Sequence, residues 1–193
     1  IEKSAQENVK NVAKAMDKAV KELTVFILDK ERHRVEGGLV DQVREVGAKI
    51  KLIPDGDVAG ALATGLEDTG VDLLMGIGGA PEGVLAAAGL KCLGGEVQAR
   101  LVPKTDEEVK RAQEMGIEDV EAPLKMDDLA AGDNIIFSAT GVTNGEMLNG
   151  VRFEEQEAKT DSLVMRSKTG TLRFVKAVHK LDQKPLPTSE KEI

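Results

Sequence analysis

KLIPDGDVAGALATGLEDTGVDLLMGIGGAPEGVLAAAGLKCLGG, running from Lys51 to Gly95, reads as two strand–turn–helix units in succession. The first turn is Asp55-Gly56-Asp57, and the second is Gly78-Gly79-Ala80-Pro81-Glu82-Gly83. In an open α/β sheet, ligands bind in the crevice outside the carboxyl ends of the strands. These two turns are therefore where chemistry is expected.

Upstream, Ser4-Ala5-Gln6-Glu7 fits a capping box. Val9, Val12, Ala13, Met16, Val20 and Leu23 then recur at threes and fours, which predicts a one-sided helix. TVFIL, Thr24 to Leu28, is a continuous apolar run and reads as a buried strand ending in the charged cluster Asp29 to Arg34. Leu39, Val40, Val43 and Val46 mark a helix with Gly47 at its C-cap. Lys49 to Ile53 alternates like a strand. Asp57 is placed to cap a helix from Val58 to Leu66, Val71 to Ile77 is the next strand, and Pro81 suits N1 of the helix after it.

Downstream, Thr105-Asp106-Glu107-Glu108 is a second capping box, for a helix ending near Met115-Gly116. Asn134 to Ala139 is a strand, and Ser162 to Arg166 and Thr171 to Val178 form a hairpin around Lys168-Thr169-Gly170. The polar, Pro-containing residues 183–193 are expected to be a disordered tail. Strands alternating with helices predict an α/β fold, with the strands at Thr24, Lys49, Val71 and Asn134 at least partly parallel. The closing hairpin makes the sheet mixed.

The chain has 193 residues, enough for one domain or two small ones, and its 41% hydrophobic and 31% charged content is that of a soluble globular protein. Four Phe with no Tyr or Trp argue against a base-stacking nucleic-acid surface, and a net charge of −8 against a broad phosphate-backbone footprint. The single Cys92 excludes an internal disulfide, and its neighbours Leu90 and Leu93 make it a buried small hydrophobe. No apolar run reaches the roughly 18 residues of a membrane span, and no signal-peptide pattern is present. The chain opens on Ile1 directly into a helix pattern, so it is expected to be part of a longer protein.

In the second turn, glycines let backbone N–H groups approach an anion at a helix N-terminus, but the dinucleotide fingerprint fails at Pro81. Glu82 there has two readings. It binds a divalent cation beside a phosphate, or it merely complements the helix dipole. Asp55 and Asp57 suit sugar hydroxyls or a metal; the plainer reading is a tight turn followed by an N-cap. Lys30, Arg32, His33 and Arg34 at a strand end suit phosphate oxygens, and otherwise are a solvated loop. His33 alone gives no ground for catalysis, and His179 reads as structural or surface.

Taken in order, LDKERH (Leu28–His33), IPDGDVA (Ile53–Ala59), GIGGAPEG (Gly76–Gly83), DNIIFSATG (Asp133–Gly141) and VHKLD (Val178–Asp182) resemble class II, GlpX-type fructose-1,6-bisphosphatase. The resemblance runs from about Glu2 to Asp182 and implies the sugar-phosphatase (inositol monophosphatase-like) fold, with residues 1–182 as a sugar-phosphate-binding portion. It implies hydrolysis of the 1-phosphate of fructose 1,6-bisphosphate with Mg²⁺ or Mn²⁺, in a cytoplasmic homodimer or homotetramer serving gluconeogenesis. By the same resemblance Glu82 is a metal ligand and Gly79 lines the substrate site. Lys30 and Arg32 bind the distal phosphate, and Asp55, Gly56 and Asp57 contact the sugar.

Two departures stand out. RVEGGLVDQVREVG, Arg34 to Gly47, is a few residues longer than the family's pattern. The family's remaining metal carboxylates and catalytic threonine lie in an N-terminal half that this sequence does not contain, so no catalytic residue is expected in it. The rival expectation is a non-catalytic sugar-phosphate-binding module.

Overall fold

The computed structural model describes residues 1–145 and 147–183. Helix α1 (Ala5–Ala15) is capped as expected: Ser4 Oγ accepts from the Glu7 amide at 3.2 Å, and the Ser4 amide donates to Glu7 Oε2 at 3.2 Å. It does not continue to Leu23. Asp17 adopts a left-handed φ of 52°, which breaks the helical ladder, and a 3₁₀ turn at Val20–Glu22 delivers Leu23 into the core. The apolar spacing persists past the break because Val20 and Leu23 join the same core as the helix.

Strand β1 (Thr24–Leu28) leads to a short helix α2 (Glu31–Arg34), then α3 (Leu39–Glu45), β2 (Lys49–Ile53) and α4 (Asp57–Ala63). Next come β3 (Leu73–Met75) and α5 (Ala80–Leu93). The three strands form a parallel sheet in the order β2-β1-β3, with Ile27 opposite both Leu52 and Met75. Central strand β1 is covered on both sides. Val25 and Ile27 pack with Val9, Ala13, Val40 and Val43 of α1 and α3, while Phe26 and Leu28 pack with Ile53, Ala63 and Val71. Burial on two faces is why TVFIL carries no polar residue in its last four positions. Edge strand β2 alternates instead, with Lys49 and Lys51 exposed and Lys51 Nζ 5.2 Å from the Phe26 ring centroid.

The second half contains β4 (Gln98–Ala99), α6 (Asp106–Glu114), β5 (Leu124–Lys125), α7 (Met126–Leu129) and β6 (Ile136–Thr140). It closes with β7 (Arg152–Glu154), β8 (Glu157–Arg166) and β9 (Thr171–Lys180). The fold is α/β, as the sequence predicts, but parallel and antiparallel pairing are segregated. Strand β6 is not a fourth parallel strand; it pairs antiparallel with β8, Phe137 opposite Met165. The hairpin β8–β9 also belongs to this second, wholly antiparallel sheet, and turns at Ser167–Gly170.

Helices α4 and α5 link the parallel sheet to the four-stranded antiparallel one, and β4 and β5 pair separately. Ala63 of α4 packs under Phe26 and Ile53, while Ala61 and Leu62 join Ala86, Leu90 and Cys92 of α5 against Phe137, Leu163 and Met165. Cys92 is buried, as expected, and burial pushes its thiol pKa up. The second capping box forms with a shift: Thr105 Oγ1 accepts from the Glu108 amide at 3.3 Å, but Glu108 Oε2 reaches the Lys104 amide, at 2.6 Å. Of the tail 183–193, only Gln183 lies within the described residues, closing a 3₁₀ turn.

Candidate active site

Because β1, β2 and β3 run parallel, their carboxyl ends lie at one edge of the sheet and bring three turns together. A cleft of about 530 Å³ opens there. Lys30 and Arg32 line it from the β1 end, Asp55, Gly56 and Asp57 from the β2 end, and Gly79 and Glu82 from the β3 end. All seven residues that the family resemblance assigns to the site thus meet in one place, whereas His33 and Arg34 do not line it. A larger groove of about 860 Å³ runs along Glu154–Glu157, Lys180, Asp182 and Gln183, with none of these residues in its wall.

The charged cluster after β1 is not a solvated loop. It folds into α2, which buries His33 to 4% exposure. Asp29 and Arg34 pair through two hydrogen bonds, with Arg34 Nη2 2.6 Å from Asp29 Oδ2. The guanidinium holds the Asp29 carboxyl below its usual range, and Lys30 acts in the same direction. A depressed folded-state value means that the pair's contribution is present above the unfolded pKa and is lost as pH falls through the lowered one. In Arg34→Gln the Asp29 titration midpoint, followed by carboxyl NMR shifts, is expected to move up toward the ordinary aspartate value; an unmoved midpoint would sink this account. The pairing leaves Lys30 and Arg32 as the cluster's cations in the cleft wall.

At the β2 end, Gly56 has φ 87°, a conformation that a side chain disfavours, and Asp55 Oδ1 accepts from the Gly56 amide at 2.8 Å. Gly56, not Asp57, occupies the N-cap of α4, so Asp57 is the first helical residue and makes no cap hydrogen bond. Its carboxylate faces the neighbouring turn instead. A Cβ built on Gly78 would lie 2.2 Å from Asp57 Oδ2, and one on Gly79 would lie 2.0 Å from Glu82 Oε2. Both carboxylate tips thus occupy the space where a side chain on either glycine would project, and a side chain there would have to displace them. Pro81 is the second residue of α5, after Ala80, because Gly79 takes the N-cap.

Glu82 lies in the first turn of α5, close enough to its N-terminus for the dipole reading to hold. Its carboxylate nevertheless folds back over the cleft floor at Gly79. Among the described residues, three cations (Lys30, Arg32 and Lys104) and three carboxylates (Asp55, Asp57 and Glu82) share the wall, and no ion pair joins the two sets. A cleft so lined suits a ligand bearing both phosphate and hydroxyl groups. The carboxylate oxygens also suit hard cations such as Mg²⁺ or Mn²⁺. No group of three or more His, Cys, Asp or Glu side chains is arranged to hold a metal among the described residues, so Glu82 and Asp57 fit part of a ligand set only.

Lys104 is a lining residue that the sequence does not announce. It enters from the connection between β4 and α6, far along the sequence from the other lining residues, and no local pattern ties it to them. Equally unannounced is the part played by the Ile77 backbone, whose carbonyl accepts from Arg32 Nη2 at 2.6 Å. His179 is half-buried and shares a 3.0 Å hydrogen bond with Thr160, a structural setting. Among the described residues no helix is long and apolar enough to cross a membrane.

The family model for bacterial, glpX-encoded fructose-1,6-bisphosphatase matches residues 1–179. A D-fructose 1,6-bisphosphatase class 2/sedoheptulose 1,7-bisphosphatase of Synechococcus sp. (strain JA-2-3B'a(2-13)) is 41% identical over 189 residues, covering 92% of this chain and 54% of the relative. The protein of that name from Prochlorococcus marinus (strain MIT 9515) is 42% identical over 195 residues, covering 94% of this chain and 58% of the relative. The chain spans about half the length of the curated relatives it matches. With nearly all of its length matched by the family model, the chain belongs to the glpX-encoded bacterial fructose-1,6-bisphosphatase family.

Proposed function

We propose that the complete protein hydrolyses fructose 1,6-bisphosphate to fructose 6-phosphate and phosphate, with this chain supplying the substrate-binding cleft and one metal-ligating carboxylate. The carrying observation is the convergence of Lys30, Arg32, Asp55, Gly56, Asp57, Gly79 and Glu82 on one cleft of a chain in this family. Lys30 and Arg32 hold the phosphate that is not cleaved, as charge-assisted donors. Asp55 and Asp57 accept from sugar hydroxyls, and Gly56 and Gly79 admit the sugar close to the backbone. Glu82 would hold a Mg²⁺ or Mn²⁺ ion, which when bound neutralises charge on the transferring phosphoryl group. The remaining metal carboxylates and the catalytic group come from a preceding half of the protein, cytoplasmic and assembled as a homodimer or homotetramer. Leu172, Phe174 and Val178 on β9 and Phe153 on β7 are exposed apolar surface that such packing would cover.

The test is phosphate release from fructose 1,6-bisphosphate with Mn²⁺, comparing this chain with its full reading frame. Activity in the longer protein only is the expected result. Activity in neither would favour the rival, a non-catalytic sugar-phosphate-binding module. Sedoheptulose 1,7-bisphosphate, raised by the names of the relatives, belongs in the same assay.

Lys104 extends this reading. In Lys104→Ala, KM for the bisphosphate is expected to rise about three- to tenfold with kcat little changed, as one exposed charged donor is lost from substrate binding. An unchanged KM would remove Lys104 from the site.

A further inference from the structure

We propose that His33 is a positioning residue that locks the cationic wall of the cleft to its glycine turn, and so sets the spacing on which phosphate binding depends. This inference rests on the reading of the cleft as the substrate site. His33 is buried beneath α2, and both ring nitrogens are engaged. Nδ1 lies 2.6 Å from the carbonyl oxygen of Leu28, the last residue of β1. Nε2 accepts from the amide of Ile77, at 3.3 Å. A carbonyl can only accept and an amide N–H can only donate, so the ring carries its proton on Nδ1.

The neighbouring residue completes the clamp. Arg32 Nη2 donates to the carbonyl of Ile77 at 2.6 Å, so consecutive side chains of α2 hold the amide and the carbonyl of one residue. That residue immediately precedes Gly78 and Gly79. The β1 end is tied down as well, since the Asp29 amide donates to the Ile53 carbonyl at 2.8 Å, just before the Asp55-Gly56-Asp57 turn. His33 therefore sits where the Lys30–Arg32 side of the cleft and the Gly78–Gly79 side share a hydrogen bond. Without it, Arg32 holds Ile77 by the carbonyl alone, while also serving as a phosphate ligand. Substrate would then have to draw Arg32 away from the turn that it is holding in place.

Two substitutions separate the two hydrogen bonds. Asn places its amide nitrogen where Nδ1 was and keeps the bond to Leu28, but it cannot reach Ile77. Gln places its amide oxygen where Nε2 was and keeps the bond from Ile77, but gives up Leu28. In the full-length protein, His33→Asn is expected to speed amide hydrogen exchange at Ile77 about fivefold and to raise KM for the bisphosphate about five- to tenfold, with kcat within about twofold. His33→Gln is expected to leave Ile77 exchange unchanged and to raise KM by no more than about twofold. A merely structural role would move both variants alike, since each loses one buried hydrogen bond. Equal Ile77 exchange in the two variants, or equal KM, would overturn the proposal. If the unsubstituted full-length protein releases no phosphate, the functional reading fails; the exchange pattern then decides the positioning role, and equal exchange overturns it.

Discussion

Replacing Glu82 by Gln in the full-length protein is expected to lower phosphate release by about 10²- to 10³-fold, the cost typical of removing one preorganised electrostatic group from a reacting centre. The substitution keeps the side chain's shape and removes only its charge. Among the described residues the Glu82 carboxylate takes part in no ion pair, and it lies over Gly79 at the floor of the cleft. Folding should therefore barely register the change. If Glu82 served only to complement the dipole of α5, the loss would be ~0.3–1 kcal/mol of stability with activity intact. The two readings consequently predict opposite patterns. Metal ligation predicts lost turnover and weakened Mn²⁺ binding with the thermal midpoint within about 2 °C of the parent. The dipole reading predicts normal turnover and unchanged Mn²⁺ binding, with a similarly small change in midpoint. Retained activity with unchanged metal affinity would count against Glu82 as a ligand.

The parts of this architecture that read clearly in the sequence are those whose physics is local. TVFIL is apolar from Val25 to Leu28 because β1 is covered on both faces, and the two glycine-bearing turns follow strands whose ends lie at one sheet edge. Strand β6 is harder to place. Its residues alternate in burial as a one-faced antiparallel strand does, but Ile136 is 67% exposed, and that apolar residue on the outer face makes NIIFSA look like a strand buried on both sides. Val20 and Leu23 keep a helical spacing across a break set by the left-handed Asp17, because both still contribute to one core. The candidate site shows the same division. Its seven expected residues lie within recognisable segments, whereas Lys104 and the tie from His33 to Ile77 depend on long-range placement, the latter across 44 residues. A histidine inside the charged run Asp29 to Arg34 carries no local sign that it is buried.

The contact between α4 and α5 governs where both helix-borne carboxylates sit, and it hinges on Gly89 and Leu62. A Cβ on Gly89 would lie 2.4 Å from Leu62 Cδ2 and 3.3 Å from both Cδ1 and Cγ. Leu62 is fully buried among Leu90, Phe137, Leu163 and Met165, so it has no free space into which to swing. In Gly89→Ala, helix propensity would contribute up to ~1 kcal/mol in favour of folding, against an overpacking cost of ~1–3 kcal/mol. Overpacking wins, and a net loss of ~1–2 kcal/mol is expected. Leu62→Ala alone should cost ~2–5 kcal/mol through the cavity it leaves. In the double variant the methyl introduced at position 89 enters that cavity, so denaturant unfolding of the full-length protein should give a loss smaller than the sum by ~1–2 kcal/mol. Because α4 begins at Asp57 and α5 carries Glu82 in its first turn, Gly89→Ala should also raise KM for the bisphosphate, while adding Leu62→Ala restores part of it. Strict additivity of the two unfolding losses would mean that this contact does not set the helix spacing, and that the positions of Asp57 and Glu82 are fixed from the sheet side instead.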